Sequence, residues 1–223
     1  MHIVAIAGAS GIVGRRALHH LLACPDVARV IAVGRRTLPL QHGKLDSPIA
    51  DLQNRSAITA VLPARLGAAI CCLGTTLKQA GSKDEFRSVD HDAVVAFADA
   101  ALERGAQRFV LLSSLGSDAR ARNFYLRTKG ETEEAVARLG YTQLTVLRPS
   151  FIDDQGARTE NRPLERLVLP LARAVFSIIG RTTRYSPVPA DVIGKALVHV
   201  AFDETTERVR IVESERIHAL GAL

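Results

Sequence analysis

AIAGASGIVGRR, residues 5–16, decides the fold of this chain. An apolar run, Ile3 to Ala7, reaches a turn with glycines at 8, 11 and 14. A helical pattern, Arg15 to Ala23, follows at once. Strand, glycine-rich turn and helix, in that order, open a dinucleotide-binding fold. Gly8 lets the chain turn off the strand. Gly11 removes a side chain where the backbone must approach a pyrophosphate. Gly14 lets the helix pack close to the strand. The free amides that open the helix, with Ser10, Ile12 and Val13 around them, then face the phosphates.

Working outward, Arg29 to Val33 reads as a second strand that ends in Gly34-Arg35-Arg36. The end of strand two meets the adenosine ribose in such folds. An acidic residue there favours a free 2′-hydroxyl, whereas two arginines suit a 2′-phosphate and therefore NADP(H). Ser47 to Leu52 fits a short third strand, with Asp51 and Leu52 placed to line the adenine. Ala68 to Leu73 is apolar without alternation, as a fully buried strand is. Gly74 and Thr75 then turn off the sheet beside the cofactor, with Leu73 before them. Thr75 and Thr76 have two readings, bonding a phosphate or ribose, or closing the turn.

Val89 to Arg104 is a long helical pattern stopped by Gly105. Arg108 to Leu112 is a fifth strand, which leaves Ser113 and Ser114 at its carboxyl end, where ligands of open parallel sheets bind. Phe124 to Leu139 is helical, and Gln143 to Leu147 is a sixth strand ending in Arg148-Pro149. This alternation specifies an α/β, Rossmann-type, doubly wound parallel sheet. We expect one domain over 1–223, with a cofactor-binding core over 1–149 and a short substrate lobe with closing elements over 150–223. In that lobe Pro163 to Ile179 is an apolar helical stretch, Ala190 to Ala201 a helix, Arg208 to Val212 a strand and Ser214 to Leu220 a terminal helix.

The chain has 223 residues, 47% of them hydrophobic, enough for a full core. No apolar run is long enough to span a bilayer. The first strand begins almost at Met1, which leaves no room for a leader, so a cytoplasmic protein is expected. The formal charge is +6, but the basic residues are scattered, Trp is absent and aromatics are 4%, which argues against nucleic acid. Three cysteines, Cys24, Cys71 and Cys72, do not make a disulfide framework, and the adjacent pair reads as strand core. The seven histidines show no ligand spacing, so no metal is expected. Composition leaves the oligomeric state open between monomer and dimer.

Tyr125 and Lys129 are four apart and share one helix face. Beside an oxidised nicotinamide, Lys129 lowers the cost of a tyrosinate. Tyr125 can then move a proton at a carbinol oxygen while a hydride moves at the cofactor. A serine hydroxyl from the neighbouring strand end holds the same oxygen. The plainer alternative pairs Lys129 with Glu133, one turn on.

The Gly-x-x-Gly-x-x-Gly spacing, CCLGTTLKQAGS, RFVLLSSLGSD, YLRTKGETE, LRPSF and ERIHALG together cover most of the chain. On them the chain resembles the atypical short-chain dehydrogenase/reductases. Within these it is similar to the NADP-binding Tat-interacting-protein (HIV Tat-interactive oxidoreductase) group and its bacterial relatives. The resemblance implies an NADP(H)-dependent oxidoreductase of a small carbonyl or alcohol. It implies Ser114, with Ser113 beside it, Tyr125 and Lys129 as the catalytic set, and Arg148 and Pro149 as the way into the substrate lobe. It also admits a non-enzymatic NADP(H)-sensing protein that binds a protein partner. Where the superfamily carries an asparagine after strand four, this chain offers Asp90, His91 and Asp92. Where the fourth strand often ends Asn-Ala-Gly, this chain has Cys72-Leu73-Gly74.

Overall fold

A computed structural model of the chain describes residues 1–153 and 184–222. β1 (His2–Ala7) leads through the glycine turn into α1 (Ile12–Ala23), which starts three residues earlier than its apolar pattern suggests, with Gly11 as its N-cap. β2 (Val27–Val33) and the two-residue β3 (Leu45–Asp46) follow, then α2 (Arg55–Val61) and β4 (Ala68–Cys71). Two short helices, α3 (Leu77–Ala80) and α4 (Lys83–Arg87), run into a π-helical turn, Ser88–Asp92, and α5 (Ala93–Glu103). β5 (Arg108–Leu112), α6 (Phe124–Arg138) and β6 (Gln143–Arg148) complete the expected alternation. β7 (Ile152–Asp153) pairs in parallel with β8 (Val188–Pro189), and α7 (Ala190–Phe202), β9 (Val209–Glu213) and α8 (Ser214–Leu220) end the chain.

Among the described residues, seven strands form one parallel sheet in the order β3-β2-β1-β4-β5-β6-β9. The order reverses between β1 and β4, where Ala7 lies beside Cys71, so a crevice opens there at the carboxyl ends of the strands. The central strands β1, β4 and β5 are apolar apart from the first residues of β1 and β5, because helices cover both faces there. One face packs against α1 and α7, the other against α2 and α5. The α1–α7 contact is close because Gly194 carries no Cβ, which would stand 2.7 Å from the Cβ of Arg16.

The third strand differs from expectation. It forms at Leu45–Asp46 rather than over 47–52, beside Val30 and Ile31 of β2. Pro48 has no amide to give a parallel ladder, so pairing breaks there and resumes only as a single bridge between Gly34 and Ile49. The fourth strand ends two residues early, at Cys71, as the chain peels away past Gly8. The apolar stretch 163–179 lies outside the described residues.

Candidate active site

The glycine turn is built by contact. Gly8 has φ +81°, and a Cβ on it would lie 2.5 Å from the carbonyl carbon and oxygen of Cys72. A Cβ on Gly14 would overlap the Gly8 carbonyl oxygen, so this helix can start so close to β1 only with glycine there. The Gly11 amide donates to the Gly8 carbonyl at 3.0 Å, which closes the turn. No side chain caps α1, no acidic residue stands in its first turn, and Ser10 and Gly11 are exposed. The first amides of α1, from Ile12 to Gly14, thus open towards the crevice with a favourable helix dipole and no competing carboxylate. These residues fit a pyrophosphate.

At the end of β2, Gly34 is held from both sides. Its amide donates to the Pro48 carbonyl at 3.3 Å, and its carbonyl accepts from the Ala50 amide at 3.0 Å. Arg35 and Arg36 beyond it are exposed and have no ion-pair partner among the described residues. Asp51 is exposed and accepts from the Gln53 amide, while Leu52 is buried in the core.

At the carboxyl ends of β4 and β5 the polar groups are divided sharply. The π-helical turn carries Asp90 into the interior, where it is fully buried. Its Oδ2 accepts from the Thr75 amide at 2.7 Å. Its Oδ1 has no hydrogen-bond partner among the described residues but faces the Lys129 ammonium at 2.8 Å as an ion pair. Gly74 borders this pair: a Cβ there would lie 3.4 Å from both Asp90 Oδ1 and Lys129 Nζ. Burial alone, the largest influence, would pull the Lys129 ammonium down. The Asp90 carboxylate, with smaller help from Tyr125 and Cys71, outweighs it and holds Lys129 above the usual lysine range.

Glu133, the other partner considered for Lys129, is engaged elsewhere. Arg148 donates through Nε to both its oxygens at 3.1 Å and through its terminal nitrogen to Oε2. Ser113 donates to Oε1 of the same carboxylate and lies 3.2 Å from the Ser117 hydroxyl. Ser113 and Arg148 therefore tie β5, α6 and β6 together through the Glu133 carboxylate. Ser114 lends only its carbonyl to this network, accepting from Ser117 Oγ at 2.7 Å, and its hydroxyl has no partner among the described residues. The Tyr125 hydroxyl likewise makes no hydrogen bond among them. Its half-buried ring packs on Phe86, with centroids 5.5 Å apart. The loop that carries Ser114 is joined to both neighbours: the Asp118 amide donates to Leu126 and the Leu115 amide to Pro149.

The geometry thus joins a glycine turn and an uncapped helix start at β1 with unpartnered hydroxyls, among the described residues, and a buried cation at the ends of β4 and β5. A family model described as NAD(P)H-binding matches residues 8–168. The chain belongs to this NAD(P)H-binding family. Protein HTATIP2 of Rattus norvegicus is 32% identical over 221 residues, 98% of this chain and 88% of that protein. Protein fmp52, mitochondrial, of Emericella nidulans is 34% identical over 202 residues, 88% of this chain and 85% of that protein. These relatives bear out the resemblance to the atypical short-chain dehydrogenase/reductases. The fold is shared with MoeE5 solved with UDP-glucuronic acid and NAD, at TM-score 0.69 and 18% identity over 98% of this chain and 81% of that one. Serine dehydrogenase from Escherichia coli gives TM-score 0.63 and 15% identity, over 95% and 96%.

One expectation is overturned. Several fungal relatives are named mitochondrial, so the cytoplasmic assignment does not stand. It rested on the strand that begins beside Met1, and a strand at that position carries no compartment information.

Asp90 was legible only as one of three neighbouring candidates. The π-helical turn shifts the helical phase by one residue, and that shift selects Asp90. His91 and Asp92 instead contact each other, at 2.7 Å, towards the surface.

Proposed function

We propose that this chain is an NADP(H)-dependent oxidoreductase that interconverts a small carbonyl compound and its alcohol. The observation that carries this reading is the pairing of a free Tyr125 hydroxyl with a buried, charged Lys129 on one face of α6, beside Gly74 at the sheet's switch point. When bound, the nicotinamide supplies the hydride transfer. Tyr125 moves the proton at the carbinol oxygen, with its hydroxyl as acid or base. Ser114 holds the same oxygen through its unpartnered hydroxyl. Lys129 stabilises negative charge on the Tyr125 oxygen by Coulomb attraction, which is strong in a site shielded from water. It also donates towards the ribose. Gly8, Gly11, Gly14 and the amides of Ile12 and Val13 receive the pyrophosphate. The unpaired Arg35 and Arg36 favour a 2′-phosphate.

Fluorescence titration with NADPH and with NADH tests the cofactor side. Preference for NADPH, reduced by Arg35→Ala or Arg36→Ala, is expected; binding of neither by folded protein refutes the reading. On the chemical side, Tyr125→Phe should bind NADPH as the parent does but lose turnover in a screen of small aldehydes, ketones and alcohols. Undiminished turnover in that variant removes Tyr125 from the proton step.

A further inference from the structure

We propose that Asp90 is a positioning residue of this site, whose carboxylate holds the Lys129 ammonium beside Gly74 and keeps that buried cation charged. The inference rests on the function proposed above for Lys129. Lysine has a flexible four-carbon stem, and burial disfavours its charged form. Here the side chain of Lys129 is only 8% exposed and that of Asp90 not at all. An ammonium in such a place stays charged and in one position only if a fixed anion meets it. Asp90 is fixed twice without the lysine: its Oδ2 accepts from the Thr75 amide, and its own carbonyl accepts from the Thr132 hydroxyl at 2.9 Å.

The Thr75 contact matters because it ties the same carboxylate to the loop that leaves β4. One side chain thereby sets the distance between that loop and the lysine of α6. The titratable groups facing the pair are Tyr125 on α6 and Cys71 on β4. An asparagine in this position would keep an acceptor for Thr75 but would leave Lys129 without a countercharge.

The test begins with lysine Cε NMR titration of the whole chain, without cofactor or substrate. The sequence has five lysines, at 44, 78, 83, 129 and 195, so Lys129→Met assigns the resonance. In the wild type Lys129 should titrate above the other four. If it titrates with them or below them, the proposal is overturned without any Asp90 variant. In Asp90→Asn its midpoint should fall by about two pH units or more, as a buried lysine without a countercharge does. An unchanged midpoint overturns the proposal.

The second arm measures NADPH affinity against pH. Wild type should bind evenly from about pH 7 to pH 9, whereas Asp90→Asn should lose affinity about tenfold as pH rises through its lowered Lys129 midpoint. An equally flat profile in the variant, with the lysine midpoint lowered, makes Asp90 a merely structural partner and overturns the positioning role. Failure of the wild type to bind NADPH instead defeats the proposed function. The NMR arm then still reports separately whether Asp90 holds Lys129.

Discussion

Replacing Glu133 by leucine should cost this protein much more than replacing Glu133 and Arg148 together. Glu133 and Arg148 are 9% and 19% exposed at the side chain and are joined through both carboxylate oxygens. Removing only the carboxylate leaves a guanidinium largely out of water with no countercharge, which typically costs about 3–5 kcal/mol. Water reaches part of Arg148, so the low end applies, about 3 kcal/mol. For a domain of this length that is a fall in Tm of about 9 °C. Ser113 also loses its acceptor, but it keeps the Ser117 hydroxyl at 3.2 Å. In the double variant Glu133→Leu, Arg148→Met no charge is stranded, and stability should return to within about 1 kcal/mol of the parent. Urea unfolding of the parent, both single variants and the double gives the coupling directly. A Glu133→Leu cost below about 1 kcal/mol, or costs that simply add in the double, would refute the view that these groups form a buried clamp.

Two further outcomes follow from burial and packing. Burial pushes the Cys71 thiol up to about 12, while Cys24 is part-exposed, so a thiol reagent at about pH 8 should label Cys24 and spare Cys71 until the protein unfolds. Mass spectrometry of the labelled protein checks this, and early labelling of Cys71 contradicts it. Gly130→Ala should destabilise by about 1–3 kcal/mol despite the better helix propensity of alanine, because its Cβ would overlap the backbone of Asp118 and Ala119. A gain in stability on urea unfolding would mean that the loop carrying Ser114 is not packed against α6 as described.

The parts of the fold that were legible in the sequence are those governed by local rules. β5 at Arg108–Leu112 and α8 at Ser214–Leu220 have the expected bounds, because the apolar run is closed by Gln107 and Ser113 and the helical run ends at Gly221. The glycine turn was legible because each glycine answers a contact within a few residues or at the adjoining strand. β3 was misread because an edge strand two residues long leaves almost no pattern, and Pro48 disguises where the ladder stops. The site was legible as residue types and chain order, but the partner of Lys129 was not. Glu133 is four residues along the same helix, while Asp90 is 39 residues back and turned inward by a π-helical turn, a change of helical phase that hydrophobic periodicity does not register.

The distribution of countercharges gives the crevice two different ends. At the ends of β4, β5 and β6 the buried Lys129 and the partly buried Arg148 each have their own carboxylate, Asp90 and Glu133. Each carboxylate is also hydrogen-bonded by a second group, Thr75 or Ser113, so neither pair can readily exchange partners. At the other end, Arg35 and Arg36 stand exposed without carboxylates, and the N-terminus of α1 has neither a side-chain cap nor an acidic first turn. No ion pair among the described residues engages those arginines, which suits a phosphate-bearing ligand. Compensated cations hold a geometry, whereas uncompensated ones wait for an anion. A single substitution at Asp90 should therefore disturb the proposed reacting end and leave the ratio of NADPH to NADH affinity unchanged. Arg35→Ala should do the reverse, and parallel NADPH and NADH titrations of the two variants distinguish the ends.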